Sequence, residues 1–301
     1  REQAKKLPDK VCLSFEGRDF TYHEHLQRSN RVANSLLSLG LKKGDMVSVL
    51  ASNCVEFFEI IFGVASAGLC IVPINYRLVA DEVFYIVDNS DSKALIFGPE
   101  YKGLVEELIP RMDKVEHLIA LADDAPSWAR SYEELLAAAP GTDPQVKVAE
   151  TDLRALGYTS GTTGFPKGVV INHSFFTPET LAIEWGEIME DDVTLISGPL
   201  FHMSHGSFGP HQLFSGGKCV IMKSFKAEEC LKLMEEHKVT RMFALPTAFN
   251  WILGLSDEER DKYDLRSVTF LCSSGSPLHR DSKLRLMELF PNADLHDFYG
   301  A

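Results

Sequence analysis

Tyr158-Thr159-Ser160-Gly161-Thr162-Thr163-Gly164-Phe165-Pro166-Lys167-Gly168 combines glycines, hydroxyls and one lysine in a way that suits the holding of a polyphosphate. Gly161, Gly164 and Gly168 let the backbone approach an anion, the side chains of Thr159, Ser160, Thr162 and Thr163 add donors, and Lys167 supplies a point charge. In a Walker loop a glycine precedes the lysine and a serine or threonine follows it, but here Pro166 and Gly168 hold those places. The composition also suits a flexible linker. Against that, Ala155–Tyr158 and Val169–Ile171 both read as strands, so the loop joins ordered segments. Gly157-Tyr158-Thr159-Ser160-Gly161 misses the serine-hydrolase elbow because its serine is the fourth residue, not the third.

The loop resembles the phosphate-binding signature of the adenylate-forming superfamily, which includes acyl-CoA synthetases, luciferases and peptide-synthetase adenylation domains. Three further segments follow in that family's order. Ser273-Ser274-Gly275-Ser276-Pro277-Leu278 lies between a strand and a helix expected to begin at Leu278, where open α/β sheets bind ligands, although an ordinary turn reads the same. The resemblance implies that Ser274, Gly275 and Ser276 line the adenine. Asp297-Phe298-Tyr299-Gly300-Ala301 looks like the start of the motif whose tyrosine stacks on the base; without the resemblance, Tyr299 reads as a core aromatic. In Pro199-Leu200-Phe201-His202-Met203-Ser204-His205-Gly206, the resemblance puts His202 between the acyl pocket and the phosphates.

His202, His205 and His211 also raise a metal site, but Gly206, Gly209 and Pro210 are expected to break the helix that would align them, and no metal ligand is assigned. Phe243–Phe249 ends a strand and opens a helix with Pro246 in its first turn. Similar segments wall the family's acyl pocket, so Phe249, Trp251 and Phe208 are candidates for contact with an apolar tail or, equally, for core packing.

The resemblance therefore implies an ATP-dependent carboxylate–CoA ligase working through an acyl-adenylate on a fatty or aromatic acid. His202 and Lys167 would be catalytic. Thr159, Ser160, Gly161, Thr162, Thr163, Gly164, Lys167, Ser274, Gly275, Ser276, Tyr299 and Gly300 would bind nucleotide. ATP, Mg2+ and coenzyme A are the expected small-molecule partners. The chain ends before the family's Thr-Glu pair, so the expectation is the large N-terminal portion of such an enzyme, without the C-terminal domain and poorly active alone. A non-catalytic nucleotide- or acyl-binding module is the alternative from another class.

The elements that must position these residues follow from the pattern of the remaining sequence. With 301 residues and 45% hydrophobic content the chain buries a sizeable core. A formal charge of -13 argues against nucleic-acid or anionic-membrane partners, which need clustered basic surface. Six cysteines without a CxxC pair read as reduced core residues, consistent with a cytoplasmic protein, and a homodimer is compatible with this composition. The sequence begins Arg1-Glu2-Gln3 without methionine, so the natural start is expected to be missing. Ile60–Tyr76 is uncharged but carries Gly63, Gly68 and Pro73, and parses as a buried helix followed by a strand.

Thr21 with Glu24, and Ser131 with Glu134, open capped helices, and Asn53 with Glu56 reads as another such start. Strands at Met46–Leu50, Cys70–Pro73, Ala94–Phe97 and His117–Leu121 alternate with helices. After residue 153 the alternation resumes through strands at Val193, Lys218–Met222, Arg241–Leu245, Val268–Leu271 and Asp294–Phe298. Alternation of this kind implies an α/β fold with largely parallel sheets. Two packed subdomains are expected, residues 1–139 and 153–301, joined by a linker over 140–152.

Overall fold

The computed structural model describes residues 1–159, 165–177 and 188–298. Its strands are β1 (Val11–Phe15), β2 (Arg18–Thr21), β3 (Met46–Leu50), β4 (Cys70–Pro73), β5 (Ser92–Phe97), β6 (His117–Ala120), β7 (Arg130–Ser131), β8 (Leu153–Tyr158), β9 (Gly168–Asn172), β10 (Val193–Ile196), β11 (Lys218–Ile221), β12 (Arg241–Ala244), β13 (Phe270–Ser273) and β14 (Asp294–Asp297). They form two seven-stranded sheets, ordered β14-β13-β12-β10-β11-β1-β2 and β7-β6-β5-β3-β4-β8-β9. Pairing is parallel except in the hairpins β1/β2 and β8/β9. The expected α/β fold with two packed, largely parallel sheets is the one observed.

Sheet membership crosses the 140–152 segment in both directions. β1 and β2 join the sheet otherwise built after residue 193, while β8 and β9 complete the sheet built mainly from the first 131 residues. Residues 140–142 are strapped to the helix Tyr22–Ser38, whose Asn30 and Asn34 side-chain amides donate to the carbonyls of Gly141, Pro140 and Thr142.

Alternation along the strands explains why both faces of each sheet are covered. In β3 and β5, Val47, Val49, Ala94 and Ile96 enter a central core, whereas Leu50, Leu95 and Phe97 enter an outer one. In the other sheet Cys219, Ile221, Phe243 and Cys272 face the same central core, and Val220, Met242 and Leu271 face a second outer core. One apolar layer thus joins the two sheets and fixes how the loops at their edges face one another.

The helix Val55–Ser66 lies in this layer and buries nearly all its faces, as its apolar sequence requires. Gly63 is where it meets Tyr22–Ser38: an added Cβ would lie 2.7 Å from the Ser29 carbonyl oxygen. Its buried Glu59 accepts from Arg28 Nε at 2.5 Å and from the Tyr132 hydroxyl at 2.8 Å, and Arg28 also donates twice to Glu133. Burial raises the Glu59 pKa against the opposing pull of Arg28. Thr21 and Glu24 form the expected reciprocal cap, and Ser131 accepts from the Glu134 amide.

Three expectations are corrected. Asn53 does not cap Val55–Ser66; the N-cap is Cys54, and the Asn53 side chain reaches across the molecule instead. Met203–Phe214 is one helix through Gly206, Gly209 and Pro210. Packing overrides local propensity there, since a Cβ on Gly209 would lie 2.7 Å from the Phe58 ring and helix 203–214 crosses Val55–Ser66 at that point. The last helix begins at Arg280, two residues beyond Leu278. Ile60–Tyr76 does hold the end of a buried helix and β4, and among the described residues no helix is long and apolar enough to cross a membrane.

Candidate active site

Parallel pairing brings the ends of β10, β12, β13 and β14 to one edge of their sheet, with Ala244 beside Ser273 and Ser273 beside Asp297. From that edge emerge Ser197–His202, Leu245–Pro246, Ser274–Ser276 and Phe298. This is where open parallel sheets bind ligands. Gly275 adopts φ +88°, and a Cβ there would lie 2.9 Å from Leu245 Cδ2, so both backbone conformation and space favour glycine. Ser274 is partly exposed, and Gly275 and Ser276 are exposed. The Phe298 amide donates to the Ser273 carbonyl at 2.7 Å, which holds the chain beside the serine turn one residue before Tyr299. Tyr299 and Gly300 lie outside the described residues.

The phosphate loop is carried by the other sheet, as the connection of the β8/β9 hairpin. Tyr158 pairs with Gly168, and one step further the Thr159 amide donates to the Lys167 carbonyl at 3.0 Å. Ser160, Gly161, Thr162, Thr163 and Gly164 lie outside the described residues. The base of the loop rests on the helix Ala80–Asn89. There the Phe165 ring stacks on Tyr85 with centroids 5.0 Å apart, the Tyr85 hydroxyl donates to the Pro166 carbonyl, and the Tyr158 hydroxyl donates to Asn89 Oδ1. Lys167 is exposed and makes no ion pair among the described residues. Its ammonium is therefore available to an anion.

His202 ends the segment that leaves β10 at this edge. It is the N-cap of helix 203–214, and its Nδ1 accepts from the Ser204 amide at 3.3 Å and faces the Ser204 hydroxyl at 2.8 Å. A backbone N–H only donates, so Nδ1 must be the acceptor and the neutral ring carries its proton on Nε2. Desolvation by the surrounding protein lowers the imidazole pKa and favours this neutral form. The ring thus offers an N–H donor suited to a carboxylate or phosphate oxygen. The next residue packs on the phosphate hairpin: a Cβ on Gly157 would lie 3.5 Å from Met203 Cγ.

Asn53 is the positioning residue that sequence reading missed. Its Nδ2 donates to the Gly198 carbonyl at 2.8 Å and the Met222 carbonyl at 2.9 Å, and its Oδ1 accepts from the Leu200 amide at 2.8 Å. One buried side chain thereby fixes the segment leading to His202 from an element of the opposite sheet. Its place just before a helix start looks like a cap, and only the distant partners reveal its use.

Two apolar candidates are core residues. Phe208 and Phe249 are fully buried, Phe208 against Phe243 in the central core and Phe249 in the outer core behind the sheet. Trp251 is 57% exposed and packs on Phe225. His205 and His211 are buried, and burial holds their pKa values down to about 3 and about 4. Among the described residues no three His, Cys, Asp or Glu side chains gather to hold a metal ion. The cysteines are free thiols; burial pushes Cys12 and Cys70 up to about 12.

A family model described as AMP-binding enzyme matches residues 1–301. A 3-oxocholest-4-en-26-oate–CoA ligase of Rhodococcus rhodochrous is 30% identical, over 98% of this chain and 58% of its own length. A fatty acid–[acyl-carrier-protein] ligase, ScoC of Streptomyces coeruleorubidus, is 33% identical over 83% of this chain and 48% of its own length. The chain thus spans about half the length of the curated relatives it matches. Among solved structures, the inhibitor-bound N-terminal domain of FACL13 from Mycobacterium tuberculosis superposes with a TM-score of 0.90 at 28% identity, covering 100% of this chain and 74% of that one. Two sheets in this arrangement and a family match from residue 1 to residue 301 lead to one conclusion: the chain belongs to the AMP-binding enzymes.

Proposed function

We propose that this chain carries the nucleotide- and acid-binding face of an ATP-dependent ligase that activates an apolar carboxylic acid, fatty or aromatic, and passes it to the thiol of coenzyme A. In the first step a carboxylate oxygen attacks the α-phosphorus of ATP, the bond between the α- and β-phosphates breaks, and pyrophosphate leaves. In the second a thiolate attacks the acyl carbon and AMP departs. The observation that supports the reading is that the His202 segment, the Ser274–Ser276 turn and the end of β14 leave one edge of a sheet, and that Met203 packs beside Gly157 on the hairpin that carries Thr159 and Lys167.

Each part has a role its chemistry allows. Lys167 and the loop amides and hydroxyls would neutralise charge on the departing phosphates. The His202 Nε2–H would hold an oxygen of the acid or of the α-phosphate in line for attack. Ser274, Gly275 and Ser276 would leave room for the base, with Tyr299 stacked on it. Magnesium is the expected counter-ion of the triphosphate. Among the described residues no set of side chains gathers to hold it, and no step above is routed through it. Phe201 and Met203, which flank His202 in sequence and pack on the central core, are the apolar side chains nearest the motif, and on them rests the preference for an apolar acid over acetate. A curated relative that uses an acyl carrier protein makes a carrier thiol the second reading for the acceptor.

The test, on the intact enzyme that contains this chain, is acid-dependent exchange of labelled pyrophosphate into ATP across a panel from acetate to hexanoate, cinnamate and a long-chain acid. Exchange with apolar acids that falls about a hundredfold or more in Lys167→Ala supports the reading. Exchange supported by no acid would overturn it. Replacing coenzyme A by a carrier protein in the complete reaction then decides the acceptor.

A further inference from the structure

The helix Tyr22–Ser38, the helix Val55–Ser66, residues 1–4 and the start of the β8/β9 hairpin line an open cavity of about 540 Å³, apart from the candidate active site. Arg154 lies on its wall and is only 7% exposed. The guanidinium lies 4.1 Å from the centroid of the Phe176 ring and makes no ion pair among the described residues. The acid nearest in sequence, Asp152, is already engaged by Lys43 at 2.6 Å. An unneutralised buried guanidinium is costly, and protein interiors normally give it a carboxylate or phosphate.

Other unpartnered polar atoms share the cavity. Arg154 Nη2, His173 Nε2, both ring nitrogens of His25 and the Ser29 hydroxyl are all buried without a hydrogen-bond partner. His25 is 7% exposed and Ser29 3%. The remaining wall is largely apolar and includes Phe62 and Phe176. Arg1 and Glu2 also line it, Arg1 being tied to Asp143, so Arg154 is the one guanidinium there without an acidic partner among the described residues; with neutral donors and apolar wall beside it, it suits a carboxylate on a compact apolar body. The volume lies within the range of small-molecule sites.

We propose that this cavity binds the carboxylate of a small amphipathic organic acid, with Arg154 as its counter-ion and His173, His25 and Ser29 supplying hydrogen bonds. Arg154 stands five residues before Thr159 on the extended β8, about 16 Å away along the strand, so this site is separate from the phosphate loop. The site would respond to an acid in the absence of nucleotide, and the inference does not depend on the proposed reaction.

Hexanoate is the probe, titrated without ATP into the chain and followed by calorimetry and thermal unfolding, with hexan-1-ol and inorganic phosphate as the uncharged and the purely ionic comparisons. Expected is saturable binding of hexanoate alone, retained in His202→Ala and Lys167→Ala and weakened roughly tenfold or more in Arg154→Met. Arg154→Lys, which keeps the charge but loses the planar fork, should bind with intermediate affinity and serves as the test if Arg154→Met does not fold. Binding that survives both Arg154 changes, or that is lost in His202→Ala, would place the acid elsewhere and overturn the proposal. So would an equal response to phosphate or hexanol, or no response to hexanoate.

Discussion

At the level of single residues, Asn53 and His202 fix the backbone of the proposed site through hydrogen bonds to Gly198, Leu200, Met222 and Ser204. Asn53→Ala removes three hydrogen bonds and strands buried backbone groups at Gly198, Leu200 and Met222. The expected loss is about 3 kcal/mol of stability, measured by urea unfolding, because unpaired buried polar groups dominate such changes. His202 gives a second expectation. Its Nδ1 must accept from the Ser204 amide, so protonation turns that nitrogen toward a donor and breaks the cap. Its pKa is lowered from 6.5, so exchange activity should be full at neutral pH and fall on the acid side with a midpoint below 6.5. His202→Gln should abolish that limb of the profile. A midpoint above 6.5 would contradict the lowered pKa, and activity that falls as pH rises through this range would mean the imidazolium is the working form. His202, Lys167 and the serine turn could be proposed from the sequence because each sits in a short contiguous motif. Asn53 was not, because its partners lie 145 to 169 residues away.

Among the elements, local signals located starts and stops well where the partner groups are local too. The Thr21–Glu24 box and the Ser131 cap are satisfied within three residues and could be read directly. The helix 203–214 could not, since Gly206, Gly209 and Pro210 argue against it and only its burial between the two sheets sustains it. Gly209 is the tightest point against Phe58 that can be varied without touching His202. Gly209→Ala improves helix propensity but drives a methyl into the Phe58 ring, and should destabilise by about 1–3 kcal/mol as overpacking does. Chemical denaturation decides it, and a stabilised variant would show that the ring moves aside freely. Phe208 and Phe249 make the same point. An apolar side chain near a motif looks like pocket wall in sequence, yet full burial assigns both to core packing.

For the molecule as a whole, alternation of strands and helices announced a parallel α/β fold, but not that β1 and β2 would cross to the later sheet and β8 and β9 to the earlier one. Such exchanges carry no local signal, because each strand looks the same whichever sheet receives it. They matter because they interlock the sheets around one core in which neutral histidines are buried. His25 and His205, held down to about 3, and His211, held down to about 4, bind fewer protons folded than unfolded below pH 6.5. Stability from this source is complete above 6.5 and is lost as pH falls toward 4 and then 3, with a slope up to about 1.4 kcal/mol per pH unit for each histidine. Urea unfolding between pH 7.5 and 4.5 measures it, and a flat profile would show that these rings are not held neutral. The central claim, that one nucleotide is gripped by loops from both sheets, is tested most directly by calorimetric titration of MgATP into this chain, with Lys167→Ala on one sheet and Gly275→Val on the other. Saturable binding, weakened roughly tenfold or more by each change, is the predicted result. Binding indifferent to either change, or no binding at millimolar MgATP, would contradict it.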